Sequence, residues 1–222
     1  PESKQYAVDA GKRALEEHYR RMGYEAVVEN TGIFIVYRTI MKVQGNPKVS
    51  VIILNKDHRE DLEKCVVSIE EKTDYPNYEI IVVENNSELP ETFAFYEELQ
   101  RRYSNVKVVT WDGPFNYSAI NNYGAEYATG DYYLMLNNDI EVISPGWMSE
   151  MLGYCQREDV GIVGAKLYYS DDTVQHAGVV VGVGGFAGHV LTRFRKGETG
   201  YFGRLVTIQD TSAVTAACLM IK

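Results

Sequence analysis

The residues best suited to chemistry fall in three short clusters, each directly after an apolar run. Leu134-Met135-Leu136 breaks off into Asn137-Asn138-Asp139, three oxygen-bearing side chains in succession. Asn and Asp at a strand end serve an ordinary turn. The same set also suits a hard divalent cation, held through one or two carboxyl groups while a substrate phosphate completes the shell. The run YEIIVV ends in Glu84-Asn85-Asn86-Ser87; an acid followed by amides can pair with the edge of a nucleobase or cap the turn that contains it. The run VSVIIL ends in Asn55-Lys56-Asp57.

The 222 residues carry 22 Lys and Arg against 31 Asp and Glu, a formal net charge of −9. Nucleic acids and anionic membranes attract proteins through clustered positive charge, so this balance argues against both as partners. It also means that a diphosphate would need a cation to offset repulsion. Arg193, Arg195, Lys196 and Arg204 form a basic cluster that reads as a solvated loop, with contact to an anionic ligand as the lesser alternative. No apolar run nears the roughly 20 residues that cross a bilayer. The opening PESKQYAVDAGKR lacks the apolar stretch of a secretory signal. Cys65, Cys155 and Cys218 are odd in number, widely spaced and set among apolar neighbours, without CxxC or Cys/His metal spacing. They read as buried free thiols, and the expected location is a reducing cytoplasm.

The scaffold that would position these clusters is legible in the apolar periodicity. Residues 7–22 read as a helix, and YEAVVEN and GIFIVYRTIM, separated by Asn30, Thr31 and Gly32, as a hairpin. Residues 1–46 are therefore expected to form a small helix-plus-hairpin appendage. After Pro47 strands and helices alternate: VSVIIL, a helix with Leu62, Cys65, Val66 and Ile69 on one side, YEIIVV, a helix in ETFAFYEELQRRY, VKVVTW, a helix around 118–128, and the strand before Asn137. Ser144-Pro145 is expected to open a further helix as cap and first residue, and GIVGAKLYY, VQHAGVVVGVGG and VTAACLMIK read as strand-like. Alternation of this kind predicts an α/β fold with a mostly parallel sheet and right-handed crossovers. Such sheets bind ligands beyond the carboxyl ends of the strands, where the strand order reverses. In the order 3-2-1-4, that point brings Asn55 to Asp57 beside Asn137 to Asp139.

The ordered combination VSVIILNKDH, a helix, YEIIVVENNS, and FNYSAINNYGAEYATGDYYLMLNND resembles glycosyltransferase family 2. The likeness runs from about Pro47 to Lys222. It implies the GT-A fold, a Rossmann-like, mostly parallel sheet flanked by helices, over residues 47–222. It also implies transfer of a sugar, with inversion, from a nucleotide-diphosphate donor to a saccharide acceptor, aided by Mn²⁺ or Mg²⁺. The default donor is a UDP-sugar, with dTDP and GDP behind it, and the acceptor a growing cell-surface polysaccharide. Carried over residue by residue, Asn55 and Asp57 lie beside the nucleotide and Glu84 and Asn86 face the base. Asn137 and Asp139 stand for the DxD motif that holds metal and diphosphate, with Asn138 between them at the donor. Asn122, in INNYG, supports the same pocket. The chain departs from the family pattern at Leu54, where proline is common, and at Glu84, one methylene longer than the usual aspartate. It departs again at the neutral Asn137, which leaves metal affinity to Asp139 and the donor's phosphates. The acidic general base is expected beyond Lys222, in a domain cut short at its C-terminus, so no catalytic residue is assigned. Donor binding is expected to exceed sugar transfer.

His176 and His189 read as structural, or as flanking the acceptor or diphosphate on glycine-rich loops. Three rival readings exist. Gly182, Gly184 and Ala187 match a GxGxxG/A dinucleotide fingerprint, but no helical stripe follows in GHVLTRFRKGETG. A sugar-phosphate nucleotidyltransferase would need glycine in the loop LNKDHRED. A non-catalytic nucleotide-sugar-binding or scaffold module would keep the fold without turnover.

Overall fold

The computed structural model describes residues 5–222. Two units emerge, Pro1–Val43 with Ala165–Thr215, and Gln44–Gly164 with Ala216–Lys222. The first opens with α1 (Gln5–Arg21), then β1 (Ala26–Asn30) and β2 (Tyr37–Met41), an antiparallel pair in which Val28 faces Thr39. The Tyr37 hydroxyl donates to the Val8 carbonyl at 2.8 Å and ties the hairpin to the helix. The second hairpin strand starts later than the apolar run GIFIVYRTIM predicts. Thr31 Oγ1 donates to the Val36 carbonyl at 2.8 Å and accepts from the Ile33 N–H at 3.2 Å, folding those residues into a loop with Ile35 at φ 55°.

The second unit holds the sheet. Its elements are β3 (Val49–Asn55), α2 (Arg59–Lys72), β4 (Tyr78–Glu84), α3 (Pro90–Arg102), β5 (Val106–Thr110), α4 (Tyr117–Glu126), β6 (Tyr132–Asn137), α5 (Trp147–Cys155), β7 (Ile162–Gly164) and, at the far end of the chain, β12 (Cys218–Ile221). The order across the sheet is β5-β4-β3-β6-β12-β7. The first four are mutually parallel, and β12 runs antiparallel to both neighbours. Six of the seven residues of β3 are buried, which is why VSVIILN shows no alternation: helices cover both faces. One covering contact is close. A Cβ added at Gly124 of α4 would lie 2.8 Å from side-chain carbons of Ile52 and Val83, so glycine permits the helix to rest on the sheet.

The helix expected to open at Ser144-Pro145 begins at Trp147, with Gly146 as its cap. The Pro145 carbonyl accepts from the Asp74 N–H at 3.1 Å and is withdrawn from the helical ladder. The first unit resumes with the antiparallel pairs β8 (Leu167–Tyr168) with β9 (Val174–His176) and β10 (Val179–Val181) with β11 (Ala187–His189). The glycine-rich stretch after β10 makes one 3₁₀ turn at Val183–Gly185 and returns as β11, so no helix follows the dinucleotide-like glycines. All three cysteines are buried and none forms a disulfide, as their spacing predicts. No helix among the described residues is long and apolar enough to cross a membrane.

Glu79, on β4, clamps the amino-terminal side of the sheet. Its carboxylate accepts from Lys48 Nζ at 2.8 Å, Ser50 Oγ at 2.7 Å, the Thr129 N–H at 2.6 Å and Thr129 Oγ1 at 2.9 Å. Burial pushes its pKa up, but these bonds outweigh burial and hold it at about 2, below the ordinary 4.5. Because the folded value is depressed, the stabilisation is complete above about pH 4.5 and is lost as the pH falls toward 2. Glu79→Gln is expected to cost on the order of 2 kcal/mol at pH 7. Urea unfolding should show the gap from wild type narrowing as the pH falls from about 4.5 toward 2.

Candidate functional site

Register places the polar clusters side by side. Asn55 is paired with Glu84 across β3 and β4, Glu84 with Thr110 across β4 and β5, and Leu54 with Asn137 across β3 and β6. Asn55 joins them. Its side chain is 2% exposed; Nδ2 donates to the Tyr96 hydroxyl at 2.8 Å, and Oδ1 accepts from Asn138 Nδ2 at 2.7 Å. The Tyr96 hydroxyl in turn donates to Glu84 Oε2 at 2.7 Å. One buried chain of hydrogen bonds thus runs from the turn after β6, through β3, to α3 and the end of β4.

The expected nucleotide residues are arranged unevenly. Glu84 is 2% exposed, and its two oxygens accept from the Ser87 N–H, the Ser87 hydroxyl and Tyr96. Its carboxylate is turned into its own loop. Asn86, at φ 57°, lends Nδ2 to the Gly113 carbonyl at 2.8 Å. Asp57, also at φ 57°, accepts from the Glu88 N–H at 2.9 and 3.0 Å, the Leu89 N–H at 3.0 Å and Thr92 Oγ1 at 3.4 Å. The bond from Leu89, with lesser help from Glu88 and Thr92, holds this carboxyl below its usual pKa. Asp57 therefore fastens the loop after β3 to the start of α3.

A cleft of about 360 Å³ opens at these ends, lined by Leu54, Asn55, Lys56, Asn85, Asn86 and Phe115. Asn85 is 5% exposed, and its Nδ2 is the buried side-chain atom left without a hydrogen-bond partner among the described residues. An unpaired buried donor typically costs about 1–3 kcal/mol, and this one belongs to a residue of the cleft wall. Asn137, the last residue of β6, and Asp139 just beyond it are exposed, and among the described residues no hydrogen bond or ion pair engages either side chain. They do not line the cleft; Asn138 connects their turn to it through Asn55. The negative charge of Asp139 adds to burial in raising the Cys65 thiol to about 12.

The remaining expected positions lie outside this network. Asn122 is exposed on α4 and does not line the cleft; its buried neighbour Asn121 donates to the Tyr117 carbonyl at 2.8 Å within the helix. His176 and His189 belong to the other unit, where their Nδ1 atoms face each other at 3.0 Å. His176 Nε2 meets the Thr215 N–H at 3.4 Å, so neutral His176 carries its proton on Nδ1 and donates it to His189. Burial, then His189, pushes the His176 pKa down to about 4. The basic cluster is locally balanced: Lys196 lies 3.2 Å from Asp172 and Arg193 3.6 Å from Asp171.

Sequence reasoning does not place Tyr96 or Phe115 at the site, and it reads Asn85 and Ser87 only as part of the cluster after YEIIVV, without singling them out within it. Two signals were present. Ser87 lies three residues after Glu84, and Tyr96 shares the buried stripe of α3 with Thr92, Phe95 and Leu99.

A mostly parallel sheet with a cleft at the carboxyl ends of β3 and β4, and an acidic turn after β6 on the other side of β3, fits the GT-A class of fold. The model of glycosyl transferase family 2 matches residues 50–209, and the chain belongs to that family. It is 45% identical over 221 residues to the uncharacterized protein y4gI of Sinorhizobium fredii, covering 99% of this chain and 24% of that protein. It is 44% identical over 219 residues to the O-antigen biosynthesis protein RfbC of Myxococcus xanthus, covering 97% of this chain and 17% of that one. Thus it spans a quarter or less of these relatives' lengths. Among solved structures it resembles the mannosyltransferase PcManGT from Pyrobaculum calidifontis in complex with GDP-Man and Mn²⁺. The TM-score is 0.52 and the identity 15%, covering 77% of this chain and 47% of that one, a likeness of fold.

Burial, ahead of its hydrogen bonds, raises the Tyr96 pKa, so the phenol stays protonated and able to donate to Glu84. Tyr96→Phe removes both a donor and an acceptor from this buried chain. It is expected to lower unfolding free energy by about 1–3 kcal/mol, measured by urea titration at pH 7.

Proposed function

We propose that this chain binds a nucleoside-diphosphate sugar for an inverting glycosyltransferase that builds a cell-surface saccharide. The observation that carries this reading is the Asn55–Asn138 bond, which couples the cleft at the ends of β3 and β4 to a turn whose Asn137 and Asp139 side chains are unengaged. A donor laid across β3 would place its nucleoside in the cleft and its diphosphate at that turn. Asp139 and Asn137 offer one carboxylate and one amide oxygen. This donor set fits Mg²⁺ or Mn²⁺ completed by phosphate oxygens, rather than a closed protein cage. Among the described residues no cluster of three or more His, Cys, Asp or Glu could hold an ion alone. A bound cation supplies charge neutralisation for the departing diphosphate. Asn137 and Asp139 would fix its position, and the network through Asn55, Tyr96 and Glu84 keeps that turn in register with the cleft.

The acceptor reading draws support from the relative in O-antigen biosynthesis. The cytoplasmic reading draws support from three buried cysteines that form no disulfide.

Calorimetry with UDP, GDP and dTDP, each with Mn²⁺ or with EDTA, tests the proposal. One nucleotide should bind only with the metal, and Asp139→Ala should weaken it at least about tenfold, the loss of a charge-assisted contact. Metal without nucleotide should bind weakly. Nucleotide binding that survives EDTA and Asp139→Ala alike would sink the metal-dependent reading.

A further inference from the structure

The loop between β5 and α4 places a large apolar ring in water while giving its backbone little freedom. Phe115 is 73% exposed, yet the residues around it are pinned. Asn86 Nδ2 donates to the Gly113 carbonyl at 2.8 Å, and Trp111 Nε1 donates to the Pro114 carbonyl at 3.1 Å. Asn116 caps α4 by accepting from the Ala119 N–H at 3.0 Å. The loop lies directly on the indole: a Cβ added at Gly113 would come within 2.6 Å of Trp111. Proline at position 114 further restricts the backbone. A ring held outside the core on a fixed loop forgoes burial that a polar residue there would not miss.

Phe115 shares its cleft with Asn85, whose buried Nδ2 has no partner among the described residues. The nearby polar groups expected to face a ligand are already engaged, Glu84 by Ser87 and Tyr96 and Asn86 by Gly113. Apart from Lys56, whose ammonium lies 3.6 Å from Glu88, what remains is a flat apolar face and one amide donor. Their complement is a planar heteroaromatic ring with an acceptor atom on its edge. Spacing supports the same ligand. β4, which leads into Asn85, and β6, which leads into Asp139, are second neighbours in the sheet. They are therefore about 10 Å apart, a gap that a ribose bridges between base and diphosphate.

We propose that Phe115 is the stacking platform for the base of the nucleotide, with Asn85 Nδ2 donating to an acceptor on the edge of that base. This rests on the donor-binding reading above. A ring face accepts any base, so Phe115 would set affinity and the Asn85 edge contact would contribute selectivity.

The test uses UDP, GDP and dTDP, each with Mg²⁺, and inorganic pyrophosphate with Mg²⁺ as a base-free probe. Affinities are measured for the wild-type chain, Phe115→Ala and Phe115→Trp. Because the ring is exposed, both variants should keep the wild-type circular dichroism. The expected result is a loss of about 5- to 100-fold for the bound nucleotide in Phe115→Ala, with pyrophosphate unchanged. Phe115→Trp should retain nucleotide affinity, and its added indole fluorescence should be quenched on binding. Equal nucleotide affinity in Phe115→Ala and wild type overturns the platform and leaves donor binding standing. An equal loss for nucleotide and pyrophosphate also overturns it, because the ring would then act through the loop. A wild-type chain that binds no nucleotide removes the platform and the donor reading together.

Discussion

A single buried carboxamide holds the carboxyl ends of this sheet in register. Asn55 can serve two masters because an amide has a donor and an acceptor on one planar group: it gives to Tyr96 and takes from Asn138. Neither an aspartate nor a leucine at this position could do both. The hydroxyl of Tyr96 repeats the device one step further on, taking from Asn55 and giving to Glu84. Such a chain is directional. Each group's role is fixed by its neighbour, and in a water-poor setting a break anywhere strands the remaining members.

This arrangement would let an acidic chain, with net charge −9, present the donor site proposed above. The acids nearest the cleft are not left facing it. Glu84 is consumed by Ser87 and Tyr96, and Asp57 by the backbone at the start of α3. The cleft wall is amide, apolar side chain and Lys56. Negative charge is left free at Asp139, the position where a cation would be needed.

The sheet could be read from the sequence because parallel strands covered on both faces are written as unbroken apolar runs, and VSVIIL, YEIIVV and LML are such runs. The side-chain roles at their ends could not. Glu84, Asn85 and Asn86 are adjacent and alike in type; which of them meets the cleft is decided by the left-handed turn at Asn86 and by partners on α3 far along the chain. The place of β12 was equally hidden. CLMI has the composition of the parallel strands, and nothing local to it shows that it runs the other way between β6 and β7.

That inserted strand bears on how the molecule is made. The edge of β6 that β12 covers must wait while residues 165–215, all belonging to the other unit, are synthesised. Until then an apolar strand edge stays open on the nascent chain, and β7 has nothing to pair with. Long-range closure of this kind is slow, and open edges invite pairing with other chains. Residues 218–221 therefore act as a bolt that shuts the sheet only after the intervening segment has been made.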